Sequence, residues 1–253
     1  MGEMNPNPRT SANPAPSFPP FAFSLLSPLH PLHPLFCMKA ALFDFDGTLA
    51  DSFAAITSST NHVRAGYGLP PLPEASVRKY VGYGLDQLMG DLVPGAPVEE
   101  AVARYREHHG RIMIAETRLL PGVSETIPEL ARRGLCLGVC SNKRVEFTRE
   151  LVRSLGLSGY FMCVLGPDDV GQRAKPDPAM LLEGLSRLKV SANEAVYIGD
   201  MIVDVQTARA AGVPVWLVSN DESGGSTPVD DMGADRVLRS FEELLELLPA
   251  AAK

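Results

Sequence analysis

Two carboxylates separated by one residue, Asp44 and Asp46, close an apolar run and are followed at once by Gly47 and Thr48. An apolar strand has no structural use for such a pair at its exit. In extended backbone, residues two apart lie on the same side. The two acids can therefore share a hard cation through oxygen and still divide into a nucleophile and a general acid/base. Gly47 lets the backbone turn sharply beside a ligand, and Thr48 can hydrogen-bond one of the carboxylates. Taken alone, Asp-x-Asp-Gly also fits an ordinary acidic turn that ends a strand.

Three further segments carry the complementary groups. Ser141 and Asn142 follow a second apolar run just before a helix, where a hydroxyl and an amide suit a phosphoryl oxygen. Lys175, ahead of Pro176 and Asp177, supplies a fixed cation in a loop before another helix. Asp200 follows Gly199 at the end of a third run, with Asp204 four residues later in a supporting position. Singly, these residues also read as helix caps, a solvated charge and a dipole partner. Jointly they make a cation site, a nucleophile, an oxyanion clamp and a counter-charge at one edge of one sheet.

The elements that position them alternate. From Met38 onward, short apolar runs at residues 40–45, 136–140, 161–165, 195–198, 215–218 and 236–238 read as strands. Helical periodicity covers 123–133, 144–155, 178–188, 204–211 and 241–248. This is the pattern of a doubly wound α/β fold with a parallel sheet. Residues 51–116 break the alternation, with helical stretches at 52–67, 74–80, 85–91 and 98–115 and no convincing buried strand. They read as an inserted helical domain standing over the carboxyl end of the first strand, where ligands of open α/β sheets bind. The core is then 38–50 and 117–253.

The composition is globular, with 45% hydrophobic and 21% charged residues among 253. A formal charge of -7 argues against a nucleic-acid partner, which would need concentrated Lys and Arg. No stretch approaches the roughly 20 apolar residues that span a bilayer, so a soluble chain with no membrane partner is expected. The four cysteines, Cys37, Cys136, Cys140 and Cys163, show no metal-ligand spacing and suit a reducing cytoplasm as small core hydrophobes. Residues 1–37 are crowded with proline and nearly free of charge. They read as a disordered extension or an over-extended gene start, with Met38 as the natural initiator.

The segments DFDGT at 44–48, SN at 141–142, KPDP at 175–178 and GDMIVD at 199–204 resemble, in order and spacing, the four motifs of the haloacid dehalogenase-like hydrolases. The resemblance runs from Met38 to about the last helix. It implies a Rossmann-like core with an all-helical type 1 cap and an Mg²⁺-dependent reaction through an aspartyl phosphate. It implies Asp44 as nucleophile, Asp46 as general acid/base, and Asp44, the Asp46 backbone carbonyl and Asp200 as Mg²⁺ ligands. Ser141 and Lys175 would hold the phosphoryl group, with Thr48, Asn142 and Asp204 in support. Relatives that dehalogenate lack the second aspartate, so Asp46 favours phosphate chemistry.

Within that family the stretch from Arg78 to Leu85, the start of the core helix at 121–123, and residues 139–143 are similar to the phosphoglycolate phosphatases. Gly82 and Gly84 open a short helix, so their N–H groups are expected either to bind a small carboxylate or to form a tight interhelical turn. Arg78 and Lys79 stand close by on a cap helix and equally fit a solvated surface. His108 and His109 are expected as exposed polar positions and Trp216 as core. The motifs also serve sugar-phosphate phosphatases, pyrophosphatases and β-phosphoglucomutase-like phosphotransferases. A non-catalytic phosphate-binding module would be expected to have lost at least one of Asp44, Asp46, Lys175 and Asp200, and a structural Mg²⁺ staple leaves Ser141 and Lys175 unexplained. The expected partner is a small anionic phosphomonoester, bound by a monomer or homodimer.

Overall fold

In the computed structural model the described residues are 38–219 and 229–248. The expectations for residues 1–37, Cys37 included, lie outside them. Among the described residues there are eight strands: β1 (Ala40–Phe43), β2 (Ala50–Asp51), β3 (Arg118–Leu119), β4 (Cys136–Cys140), β5 (Phe161–Leu165), β6 (Ala195–Gly199), β7 (Val215–Val218) and β8 (Arg236–Leu238). Six of them form one parallel sheet in the order β5-β4-β1-β6-β7-β8. The chain crosses from one side of β1 to the other between β5 and β6. That reversal opens a crevice at the carboxyl ends of β1 and β6.

Alternation along the strands divides the interior in two. Ala41, Phe43, Val196 and Ile198 face the side covered by α5 (Val123–Arg132), α6 (Val145–Ser154) and α9 (Leu244–Leu247). Ala40, Leu42 and Tyr197 face α7 (Ala179–Leu188) and α8 (Ile202–Ala211). β1 is buried along its whole length, as a central parallel strand covered on both faces must be. Burial of Phe43 alone contributes about 1.5–3 kcal/mol. Trp216 is core, as expected. Cys140 and Cys163 pack into the second layer, and burial pushes both thiols up.

Between β2 and β3 lie α1 (Phe53–Gly66), α2 (Glu74–Arg78), α3 (Leu85–Leu92) and α4 (Val98–Ile112), which enclose a third core around Ile56, Val77, Met89 and Val102. The buried Arg64 guanidinium ties this layer together by donating to the Pro70 and Leu92 carbonyls. β2 and β3 pair antiparallel, Ala50 with Leu119 and Asp51 with Arg118, so both connections to the core run through one two-stranded ribbon. Two-residue strands carry no periodicity of their own, and this ribbon was not expected from the sequence.

The first strand ends at Phe43 rather than at residue 45. Beyond it the chain coils, and the Phe45 carbonyl accepts from the amides of Thr48 at 3.3 Å and of Leu49 and Ala50 at 3.0 Å. The segment expected as one helix over 241–248 begins as a tighter turn, Phe241–Glu243, before α9.

Candidate active site

The coil after β1 sets the geometry of the acids. The Asp44 amide still donates to Ile198 of β6 at 2.8 Å, which places its side chain at the crevice. Gly47 has φ +83°, and a Cβ there would fall 2.2 Å from Asp200 Oδ2, so only glycine fits between the two strand ends. Thr48 Oγ1 donates to Asp200 Oδ1 at 3.1 Å. The coil thus holds the β6 carboxylate against the β1 carboxylate.

Lys175 stands among the acids. Its Nζ lies 2.9 Å from Asp44 Oδ2, 2.7 Å from Asp204 Oδ1 and 3.2 Å from the Tyr197 hydroxyl. Asp204 is saturated: Lys175 engages Oδ1, while the amides of Asp200 and Met201 donate to Oδ2 at 3.2 and 3.1 Å. Asp44 differs, because its Oδ1 is buried and has no hydrogen-bond partner. One carboxylate oxygen from each of Asp44, Asp200 and Asp204 lies within 4.8 Å of the others.

Three buried carboxylates against one ammonium leave two negative charges uncompensated. Burial pushes Asp44 up to about 6 against the pull of Lys175, with Asp204 adding to the rise. Burial, then the charges of Asp204 and Asp44, hold Asp200 well above the usual carboxylate range. Burial alone would depress the Lys175 ammonium, but Asp204 and Asp44 outweigh it and raise it. An orphaned oxygen on Asp44 beside a carboxylate that resists ionisation fits an oxygen-loving divalent cation, whose charge matches the excess. Asp204, with both oxygens occupied, is the supporting member.

Asp46 faces the same cavity and is held by partners the sequence reasoning missed. Its Oδ1 accepts from Ser52 Oγ at the start of α1 and lies 3.2 Å from Lys143 Nζ. Lys143 in turn lies 3.4 Å from His109 Nε2. A signal for Lys143 existed, since it directly follows Ser141 and Asn142.

His109 corrects an expectation. It is buried, 1% exposed, because Tyr105 and His109 lie one turn apart on the α4 face turned toward α1 and the β4 loop. Its Nδ1 is 3.1 Å from Ser59 Oγ, which donates to the Ala55 carbonyl at 2.7 Å. Burial, then the nearby Lys143 charge, lower its imidazole to about 2. A neutral ring beside an ammonium must accept at Nε2, so Nδ1 carries the proton. His108 is half-buried and stacks on His62 at 4.2 Å.

Asn142 was expected at the substrate, but protein groups take up its amide. Nδ2 donates to the Gly82 carbonyl at 2.8 Å and to the Lys175 carbonyl at 3.1 Å, while Oδ1 accepts from the Lys175 amide at 2.7 Å. It therefore fixes Lys175 and joins the helical layer to the core. Gly82 sits against Met201, where a Cβ would meet Sδ at 2.8 Å, and Gly84 is the residue before α3; their φ values are +111° and +100°. Arg78 turns elsewhere: it stacks on Phe53 at 3.8 Å, pairs with Glu74 at 2.9 Å and borders a second cleft beside the ribbon. Lys79 is exposed.

One cavity of about 200 Å³ is bordered by Asp44, Asp46, Ser141, Asn142 and Lys175 from the core, and by Gly82 and Gly84 from the helical layer. Thr48, Asp200 and Asp204 join it through the hydrogen bonds above. Such an arrangement can hold an anion against a carboxylate nucleophile with a second carboxylate beside it.

The comparisons with known proteins agree. Residues 41–218 match the family of haloacid dehalogenase-like hydrolases. The phosphoglycolate phosphatase of Rhodospirillum rubrum is 38% identical over 217 residues, spanning 81% of this chain and 89% of that one. The plasmid-encoded phosphoglycolate phosphatase of Cupriavidus necator is 34% identical over 218 residues, 84% of this chain and 94% of its own. A haloacid dehalogenase-like hydrolase of Bacteroides fragilis superposes with a TM-score of 0.75 at 29% identity, covering 82% of this chain and 100% of that chain. The chain therefore belongs to the haloacid dehalogenase-like hydrolases.

Proposed function

We propose that this hydrolase is a phosphatase of small phosphomonoesters, with 2-phosphoglycolate as its substrate, and that it works through a phosphorylated Asp44. The observation that carries the reading is the split state of Asp44: Oδ2 is clamped by Lys175 at 2.9 Å while the buried Oδ1 has no partner. The clamp fixes the attacking carboxylate in place at the crevice. Asp44, Asp200 and the Asp46 backbone carbonyl would hold Mg²⁺, which when bound supplies charge neutralisation between the carboxylate and the phosphoryl oxygens.

In the first displacement a carboxylate oxygen of Asp44 attacks phosphorus as the ester bond to the leaving oxygen breaks, and Asp46 gives its proton to that oxygen. In the second, Asp46 takes a proton from water as the water oxygen attacks phosphorus, which frees phosphate and restores Asp44. Acid/base assistance of this kind is worth about 10²- to 10⁴-fold. The Lys175 charge offsets the negative charge gathering on the transferring group, and Ser141 Oγ donates to one of its oxygens. Substrate identity is supported by the two named relatives above and by the small cavity.

The same reading places the protein in the cytoplasm as a monomer or homodimer acting without a nucleic-acid or membrane partner. Among the described residues, no helix is long and apolar enough to cross a membrane. The test is phosphate release from 2-phosphoglycolate, sugar phosphates and pyrophosphate, with and without Mg²⁺. The expected result is a Mg²⁺-dependent kcat/KM highest for 2-phosphoglycolate and turnover lost in Asp44→Asn. Preference for another ester discards the substrate, and hydrolysis surviving in Asp44→Asn discards the nucleophile.

A further inference from the structure

Four cations border the cavity: Lys143, Arg144, Arg106 and Lys175. Three are neutralised, Lys175 by Asp44 and Asp204, Lys143 by Asp46 at 3.2 Å and Arg144 by Glu146 at 2.9 Å. Arg106, half-buried on α4, is different. Its Nε is buried without an acceptor, and no carboxylate among the described residues pairs with its guanidinium. A buried donor left unmade is costly, and guanidinium nitrogens are built to bind carboxylate or phosphate oxygens side by side.

Its position along α4 says which part of a ligand it meets. Arg106 and His109 are three residues apart and share a face of the helix. His109 reaches Lys143, and Lys143 reaches Asp46. That face of α4 is thus turned toward the group that protonates the leaving oxygen. Whatever hangs from that oxygen lies on the Arg106 side. Ile56, Val81 and Leu88 line the same cavity, and apolar walls strengthen a charge pair formed within it.

We propose that Arg106 is a specificity-determining residue, whose guanidinium takes the carboxylate carried by the leaving group of a small phosphomonoester. The inference rests on the phosphatase reading above and deepens it. It assigns the second anion of the substrate to a side chain of α4 rather than to the Gly82–Gly84 turn.

The experiment uses the full chain with Mg²⁺ and compares 2-phosphoglycolate with ethyl phosphate, which has the two-carbon skeleton without the carboxylate. The readout is the ratio of their kcat/KM values in wild type, Arg106→Gln and Arg106→Lys. The ratio should fall about 10- to 100-fold in Arg106→Gln, chiefly through KM for 2-phosphoglycolate, with partial recovery in Arg106→Lys. An unchanged ratio overturns the proposal, as does a wild type that hydrolyses both esters without preferring the carboxylated one. Calorimetric binding of 2-phosphoglycolate to Asp44→Asn, with and without Arg106→Gln, separates the two readings. If wild type hydrolyses neither ester yet binding still depends on Arg106, the phosphatase reading falls and the assignment of Arg106 stands. Binding indifferent to Arg106 overturns the assignment.

Discussion

Lys175 Nζ and Asp204 Oδ1 lie 2.7 Å apart, both side chains sealed from solvent, and the same ammonium reaches Asp44 Oδ2 at 2.9 Å. Asp204 therefore acts on Asp44, the proposed nucleophile, through a lysine. Its other oxygen takes the Asp200 and Met201 amides, so one carboxylate aligns the lysine on one side and the turn after β6 on the other. The Tyr197 hydroxyl completes the cluster, 2.9 Å from the Cys140 carbonyl, and links it to β4.

Asp204→Asn should test that coupling. It weakens the hydrogen bond to Lys175 and turns a carboxylate oxygen that accepts from backbone or ammonium into an NH2 group, a change expected to cost about 1–3 kcal/mol of stability. A structural lesion alone would stop there. Because the Asp204 charge also contributes to the raised Asp44, Asp44 in the metal-free variant should titrate lower than its wild-type value of about 6. Carboxyl-carbon NMR of the metal-free protein reads this directly, and an unmoved Asp44 would reduce Asp204 to a packing role.

Mg²⁺ affinity should depend steeply on pH. Asp44 and Asp200 are both raised by burial, and ligand oxygens must be deprotonated to bind. Affinity should therefore weaken as pH falls through about 6, and binding there should release protons. Calorimetric titration in two buffers of different ionisation enthalpy measures that release. Equal enthalpies in both buffers near pH 6 would mean the acids are already ionised.

Much of the fold could be read from the sequence because the core strands are short, apolar runs separated by amphipathic helices. β4, β5, β7 and β8 stand where the periodicity places them. The six-stranded parallel sheet follows from that alternation. The motif residues could be read because acids and a lysine at strand ends break an apolar pattern. Residues acting through tertiary contacts had no such signal. Ser52 looks like a helix cap, His109 like one polar position among many on α4, and Arg106 like a solvated charge. Only the packing of α4 over the crevice distinguishes them. Asn142 shows the converse: its type and place suggested a ligand contact, yet three backbone groups brought together by folding satisfy it.

Gly47→Ala should injure the proposed metal site more than the fold. The φ of +83° disfavours any Cβ, and the new methyl would collide with Asp200 Oδ2. A loss of about 1–3 kcal/mol in stability is expected from the backbone alone. Since Asp200 must move, Mg²⁺ affinity should fall at least about tenfold, the scale seen when groups that orient metal ligands are altered. A variant that binds Mg²⁺ like wild type would show that Asp200 is not a ligand.

His109→Phe separates shape from hydrogen bonding in the layer over Asp46. The ring contacts with Tyr105 at 5.0 Å and Phe147 at 5.6 Å can persist, but the acceptor for Lys143 is lost. Lys143 is then held by Asp46 alone, and kcat should fall about tenfold, the scale of one hydrogen bond to a charged group. The stability effect has a definite sign. His109 is lowered to about 2, so between there and the ordinary histidine range the unfolded chain binds the extra proton and wild type loses stability as pH falls. His109→Phe removes that penalty, and its stability relative to wild type should improve between about pH 7.5 and pH 5. Urea midpoints at the two pH values measure the change. A stability difference independent of pH would mean that the His109 ring titrates normally and is not held neutral against Lys143.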